Sequence, residues 1–177
     1  MDRRDFLGNV RDYNGKGSWS VEAVQARYRE YIATLSAESS RSLKPKEHRE
    51  GEILWIYPVM DEVIQGIEEG DVACIALGVD FVEEDALFPF GPRLKSTTAR
   101  ALRRSPLTEI QKARLRERIS TMLAAGIVPH EMREYAKLLR TIGVGEHWPK
   151  LEREIPRNNP YAMRFYNSLR AAEGLPL

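Results

Sequence analysis

Two adjoining runs of opposite charge in this 177-residue sequence carry side chains equipped for recognition chemistry. Residues 50–92 contain eleven carboxylates and no Lys or Arg, whereas residues 93–118 contain nine Lys and Arg against two Glu. In the second run Arg93, Arg100, Arg103 and Arg104 fall on one side of a helical wheel, with Ser96 and Thr97 among them. Arg114 and Arg118 follow, four residues apart, and so share a face of the next helix. Guanidinium forks and short hydroxyls seat a protein on phosphates, and they equally recognise an acidic protein surface. In the first run Asp80, Glu83, Glu84 and Asp85 are the densest cluster, and they are expected to form a docking surface for a basic partner or a second copy of the chain. Clustered carboxylates also suit a hard divalent cation. The spacing lacks the glycine and alternating ligands of a calcium loop, so no metal site is assigned.

Signatures of catalysis are missing from the residue pattern. His48, His130 and His147 are scattered and enter no His-Glu-x-x-His arrangement, and the single Cys74 has no second cysteine with which to hold zinc. Cys74 also lies in an apolar stretch, a poor setting for a reactive thiolate. The turn Asn14-Gly15-Lys16-Gly17-Ser18 lacks the spacing of a phosphate loop, and no Gly-x-Ser-x-Gly is present. An enzyme would need residues that converge only in the fold, for instance Glu83, Asp85 and His130 around a metal. No catalytic residue and no cofactor is assigned. Residues 107–142 resemble a helix–turn–helix in layout, with His130, Glu131, Arg133, Glu134 and Lys137 presented by the second helix. Two carboxylates near its start argue against a surface that approaches phosphates.

These groups need helices to position them. Residues 20–38 place Val21, Val24, Tyr28, Tyr31, Ile32 and Leu35 on one side, with Ser20 as N-cap. Residues 59–69 repeat the pattern. Residues 71–84 read either as a helix (Val72, Ile75, Ala76, Val79, Val82) or as a strand (Ile75, Leu77, Val79, Phe81), with Ile53–Tyr57 as a second extended segment. A two-stranded sheet is marginal alone and no third strand is evident, so the helix is preferred. Helices are predicted at 93–104, at 107–125 behind a Thr108–Gln111 capping box, at 130–142 and at 161–173, with a short turn at 149–155. Residues 86–92 read as an aromatic turn over the core, residues 39–52 as a polar loop, and residues 1–18 as a flexible N-terminus. The expectation is an all-α, single-domain bundle of about seven helices spanning 1–177, with an extended segment around 53–57 and 72–82 as the alternative.

The composition, 42% hydrophobic and 30% charged, excludes a disordered chain. The longest apolar run, 72–79, is far short of the roughly 20 residues needed to span a bilayer. The start lacks a secretory apolar stretch, so a cytoplasmic protein without a membrane partner is expected. The formal charge of +1 is the balance of two opposed runs. If these form separate surfaces, the protein is a non-catalytic module that binds a protein partner or itself. The alternative is a nucleic-acid-binding protein using the arginines of 93–118, and a third reading is an enzyme with a site assembled in the fold.

Overall fold

The computed structural model describes residues 9–38 and 41–176. Among these residues the chain forms eight α-helices and one three-stranded sheet, a mainly α, single-domain architecture. The helices are α1 (Val21–Thr34), α2 (Val59–Glu68), α3 (Val72–Glu84), α4 (Gly91–Leu102), α5 (Glu109–Ala124), α6 (Met132–Ile142), α7 (Trp148–Glu154) and α8 (Pro160–Ala172).

At the centre lies α3, which packs against α1, α2, α4 and α5. Every residue from Ala73 to Val82 is buried, and a helix that is apolar all round is stable only when enclosed. That burial explains the ambiguous pattern of 71–84, because with all faces inside neither period stands out. The start decides it. Asp71 caps the helix, its Oδ1 accepting from the amides of Ala73 (3.0 Å) and Cys74 (3.1 Å). Gly78 lets its neighbours approach, since a Cβ there would stand 2.6 Å from Ile67 Cδ1 and 3.3 Å from Leu102 Cδ2. The expected caps at Ser20 and Thr108 form, the latter as a complete capping box with Gln111.

The sheet departs from the sequence reading in three places. Within the expected loop 39–52, β2 (Glu47–Glu50) pairs antiparallel with β3 (Ile53–Ile56) across a two-residue turn at Gly51-Glu52. Gly51 adopts φ 58°, the left-handed backbone that such a turn favours. All four residues of β2 are exposed and none is apolar, so alternation gave no signal. Within the expected flexible N-terminus, β1 (Val10–Asp12) pairs parallel with β3, giving the order β1-β3-β2; residues 1–8 lie outside the described residues. The third strand is therefore β1, and 72–82 is helix.

Asn14 fixes this sheet to the bundle. Its side chain accepts from the amide of Val59 at 2.6 Å and donates to Tyr57 O and Asp12 Oδ1, which ties the end of β1 to the start of α2. In the 86–92 turn only part of the aromatic content packs inward. Phe88 meets Phe81 edge-on at 5.5 Å and Phe81 meets Trp19 at 5.0 Å, whereas Leu87 is 99% exposed and Phe90 51%.

Candidate functional site

The two charge runs meet inside the fold. The turn after α3 returns the chain so that α4 and α5 both lie against α3. Arg114 donates to Asp80 Oδ1 at 2.7 Å and forks onto Glu83. Arg118 donates to Asp85 Oδ2 at 2.8 Å, while Lys95 reaches Asp85 Oδ1 at 2.5 Å. Arg93 forks onto Asp61 of α2 at 3.0 and 3.2 Å. Glu84 accepts from Arg27 and from the Trp19 indole, both at 2.7 Å, and Asp80 accepts from the Tyr31 hydroxyl at 2.7 Å. The acidic docking surface expected at Asp80, Glu83, Glu84 and Asp85 is thus a set of carboxylates already held by the chain's own donors. Arg114 and Arg118 are held in the same network.

This pairing perturbs the titration of its members. Burial works against the ionised Glu84, but the hydrogen bonds from Arg27 and Trp19 hold its carboxyl below the ordinary range. Burial, with Asp80 as hydrogen-bond partner, pushes the Tyr31 phenol up to about 12. Lys95 is almost enclosed, with Asp85 on one side and Glu131 Oε1 3.7 Å away on the other. Tyr135 stands beside this cluster. Burial first, and then Asp85 and Glu131, push its phenol well up. Cys74 is buried against Gly66, and burial pushes its thiol up as well. Glu83, Asp85 and His130 do not converge on a metal site, and among the described residues no three His, Cys, Asp or Glu do.

The arginine stripe divides. Arg104 lines a separate cleft with Glu68, Ser105 and Pro106. Arg103 leans toward Glu134, 3.8 Å from its Oε2. Only Arg93 and Arg100 remain together, with Ser96 and Thr97 between them, on an open groove of about 690 Å³ whose other wall carries His130, Arg133 and Glu134 and which Phe90 also lines. Arg133 also lines a second cleft of about 150 Å³ between α6 and α8, with Lys137, Arg140, Arg164, Phe165 and Ser168. Among the described residues no acidic side chain lines this second cleft. Among the described residues Arg133, Arg140 and Arg164 are exposed and make no ion pair.

The objection to a basic face on 130–142 was its two carboxylates, and the fold turns both inward. Glu131 is 4% exposed beside Lys95, and Glu134 is 7% exposed beneath Arg100, Arg103 and Lys137. What faces outward is His130, Arg133, Lys137 and Arg140. Sequence reasoning missed Arg133, Arg140 and Arg164 as a set. The spacing of Arg133, Lys137 and Arg140, which repeats on one helical face, was the available signal. Nothing in the linear order joins them to Arg164, which the packing of α8 on α6 supplies.

No protein-family model matches the chain, no curated protein matches it, and no solved structure matches it.

Proposed function

We propose that this protein binds nucleic acid through the basic face of α4, α6 and α8. One observation carries the reading: Arg133, Arg140 and Arg164, without carboxylate partners among the described residues, line one cleft with Lys137 and continue through Arg133 into the groove of Arg93, Arg100, Ser96 and Thr97. A row of forked donors with interspersed hydroxyls fits a row of phosphates, and the affinity of such a surface comes chiefly from counterion release. The net charge of +1 does not oppose this, because most of the carboxylates of 61–85 are satisfied by internal cations and the excess positive charge is local. Docking of a basic partner, or of a second copy, on the acidic segment has less support. Its carboxylates would have to leave Arg27, Lys95, Arg114 and Arg118.

The test is fluorescence anisotropy of a labelled oligonucleotide across roughly 50–200 mM salt, a range in which affinity built on several phosphate contacts falls by orders of magnitude. Replacing Arg133, Arg140 and Arg164 together by Ala is expected to weaken binding and to flatten the log–log salt slope by about 2, at about 0.7 per phosphate for a single strand. Replacing Arg104 is expected to leave the slope unchanged, since that side chain lies in a different cleft. Absence of binding to any DNA or RNA at low salt defeats the proposal.

A further inference from the structure

The groove does not end at Phe90. Its ring is 4.8 Å from that of Tyr13, Tyr13 stacks on Trp55 at 5.9 Å, and the Arg11 guanidinium lies 4.9 Å from the Trp55 ring centre. The strand register explains the array. Arg11, Trp55 and His48 are paired across the three strands, so they share one face of the sheet, and Tyr13 and Tyr57 lie two residues on along the same face. Tyr57 and Phe90 are exposed and Tyr13 and Trp55 half-buried. On the groove side, Arg93 lies 6.0 Å from the Phe90 ring centre. An aromatic strip interleaved with cations thus runs from the sheet into the arginine groove.

Phe90 carries a second observation. Its backbone is left-handed, at φ 55°, a conformation natural to glycine and uncommon for a bulky aromatic residue. It stands at the N-cap position of α4 without supplying a side-chain cap. Neither backbone conformation, helix capping nor core packing asks for a phenylalanine here. Strain held at an exposed aromatic residue points to a use for the ring.

Resting on the nucleic-acid reading above, we infer that the ligand is single-stranded, with its phosphates on the arginine groove of α4 and α6 and its bases stacked along Phe90, Tyr13 and Tyr57. Duplex DNA or RNA keeps its bases stacked within the helix and offers such a strip no free faces. A single strand offers one face per base, and stacking of this kind is tolerant of sequence. Whether the strand is DNA or RNA is a question of one shared chemistry, and the probes below separate the two.

The experiment compares labelled dT15, U15 and a hairpin duplex of equal phosphate count, on the full chain. The expected result is tighter binding of at least one single strand than of the hairpin, with quenching of Trp55 fluorescence that the Trp55→Phe variant lacks. Phe90→Gly removes the ring and relieves the backbone, so the variant is expected to fold at least as stably. It is expected to lose roughly 5- to 150-fold in single-strand affinity, the range measured for one stacked base, while hairpin affinity stays within about twofold. Phe90→Leu, which keeps an apolar side chain, serves as the second variant and is expected to lose affinity in the same direction. Equal binding of hairpin and single strand, or single-strand affinity unchanged in both Phe90 variants, overturns the inference while leaving the arginine face standing. Failure of all three probes to bind removes the nucleic-acid reading itself.

Discussion

Glu134→Gln is expected to weaken the fold and strengthen nucleic-acid binding, and the two effects arise from the same contacts. The carboxylate lies 2.8 Å from Lys137 Nζ and 3.8 Å from both Arg100 Nε and Arg103 Nη1. Burial opposes its ionised form, but the hydrogen bond from Lys137 and the charges of Arg100 and Arg103 hold the carboxyl below the ordinary range. Breaking a fully buried ion pair from one side removes roughly 3–5 kcal/mol. Here the three cations all reach water and glutamine keeps a hydrogen-bonding amide, so the loss is about 1–2 kcal/mol. At about 2–4 °C per kcal/mol for a chain of this size, Tm falls by about 2–8 °C. The sign with pH follows from the lowered carboxyl. Its stabilisation is present above the unfolded value of about 4.3 and is lost as pH falls through the folded value, so the gap between wild type and variant closes in acid. On the binding side, neither arginine donates a hydrogen bond to Glu134 at 3.8 Å, and the variant leaves both for phosphate. Each newly engaged cation steepens the salt slope by about 0.7. Thermal melts from pH 3 to 7 and anisotropy titrations against salt measure both effects. A variant with unchanged Tm and weaker binding would refute the reasoning, because Glu134 would then be neither a structural anion nor a competitor of phosphate.

Three further outcomes follow from the packing. Arg114→Met strips Asp80 and Glu83 of their shared donor and is expected to lower stability by about 2–3 kcal/mol in urea unfolding, with the salt slope of binding unchanged; a shallower slope would place Arg114 on the ligand. Gly78→Ala puts a methyl 2.6 Å from Ile67 Cδ1, which by the usual penalty of overpacking removes about 1–3 kcal/mol and is read from the shift of the urea midpoint at constant m. Cys74, buried with its thiol pushed up, is expected to react with a disulfide reagent only as fast as the chain opens; immediate labelling of the native protein would contradict its enclosure.

Most of the helices were legible because their signals were local. The Thr108–Gln111 box and the Ser20 cap act within four residues, and amphipathic periods mark α1 and α6 without reference to the rest of the chain. The sheet was not legible for the opposite reason. β2 is four exposed polar residues and β1 is three residues long, so each exists only through pairing with β3, which lies more than forty residues from β1. A strand without an apolar face leaves no alternation to read. The site divides along the same line. Arg93, Ser96, Thr97 and Arg100 share one helix and were found together, whereas Arg164 joins Arg133 and Arg140 through the α6–α8 contact alone.

Opposite charges that adjoin in sequence either form separate surfaces or neutralise one another in the fold. A block of eleven carboxylates beside nine cations looks like two opposed surfaces, yet adjacency in sequence is what lets them pair, since the turn after α3 folds one block onto the other. Oppositely charged runs joined by a tight turn meet at little loop-closure entropy. The cations left over are then those with no carboxylate within reach among the described residues. Arg133, Arg140 and Arg164 come from residues 119–177, a segment whose modest excess of positive charge gave no reason to single it out. Four of its six carboxylates are spent elsewhere: Glu131 on Lys95, Glu134 on the arginines beside the groove, Glu152 on Arg170, and Glu173 on the Trp148 indole and the Val144 amide. The charge left to the surface is the remainder after internal pairing, and the three unpaired arginines that share a cleft lie on α6 and α8 rather than on α5, the helix with the most arginines.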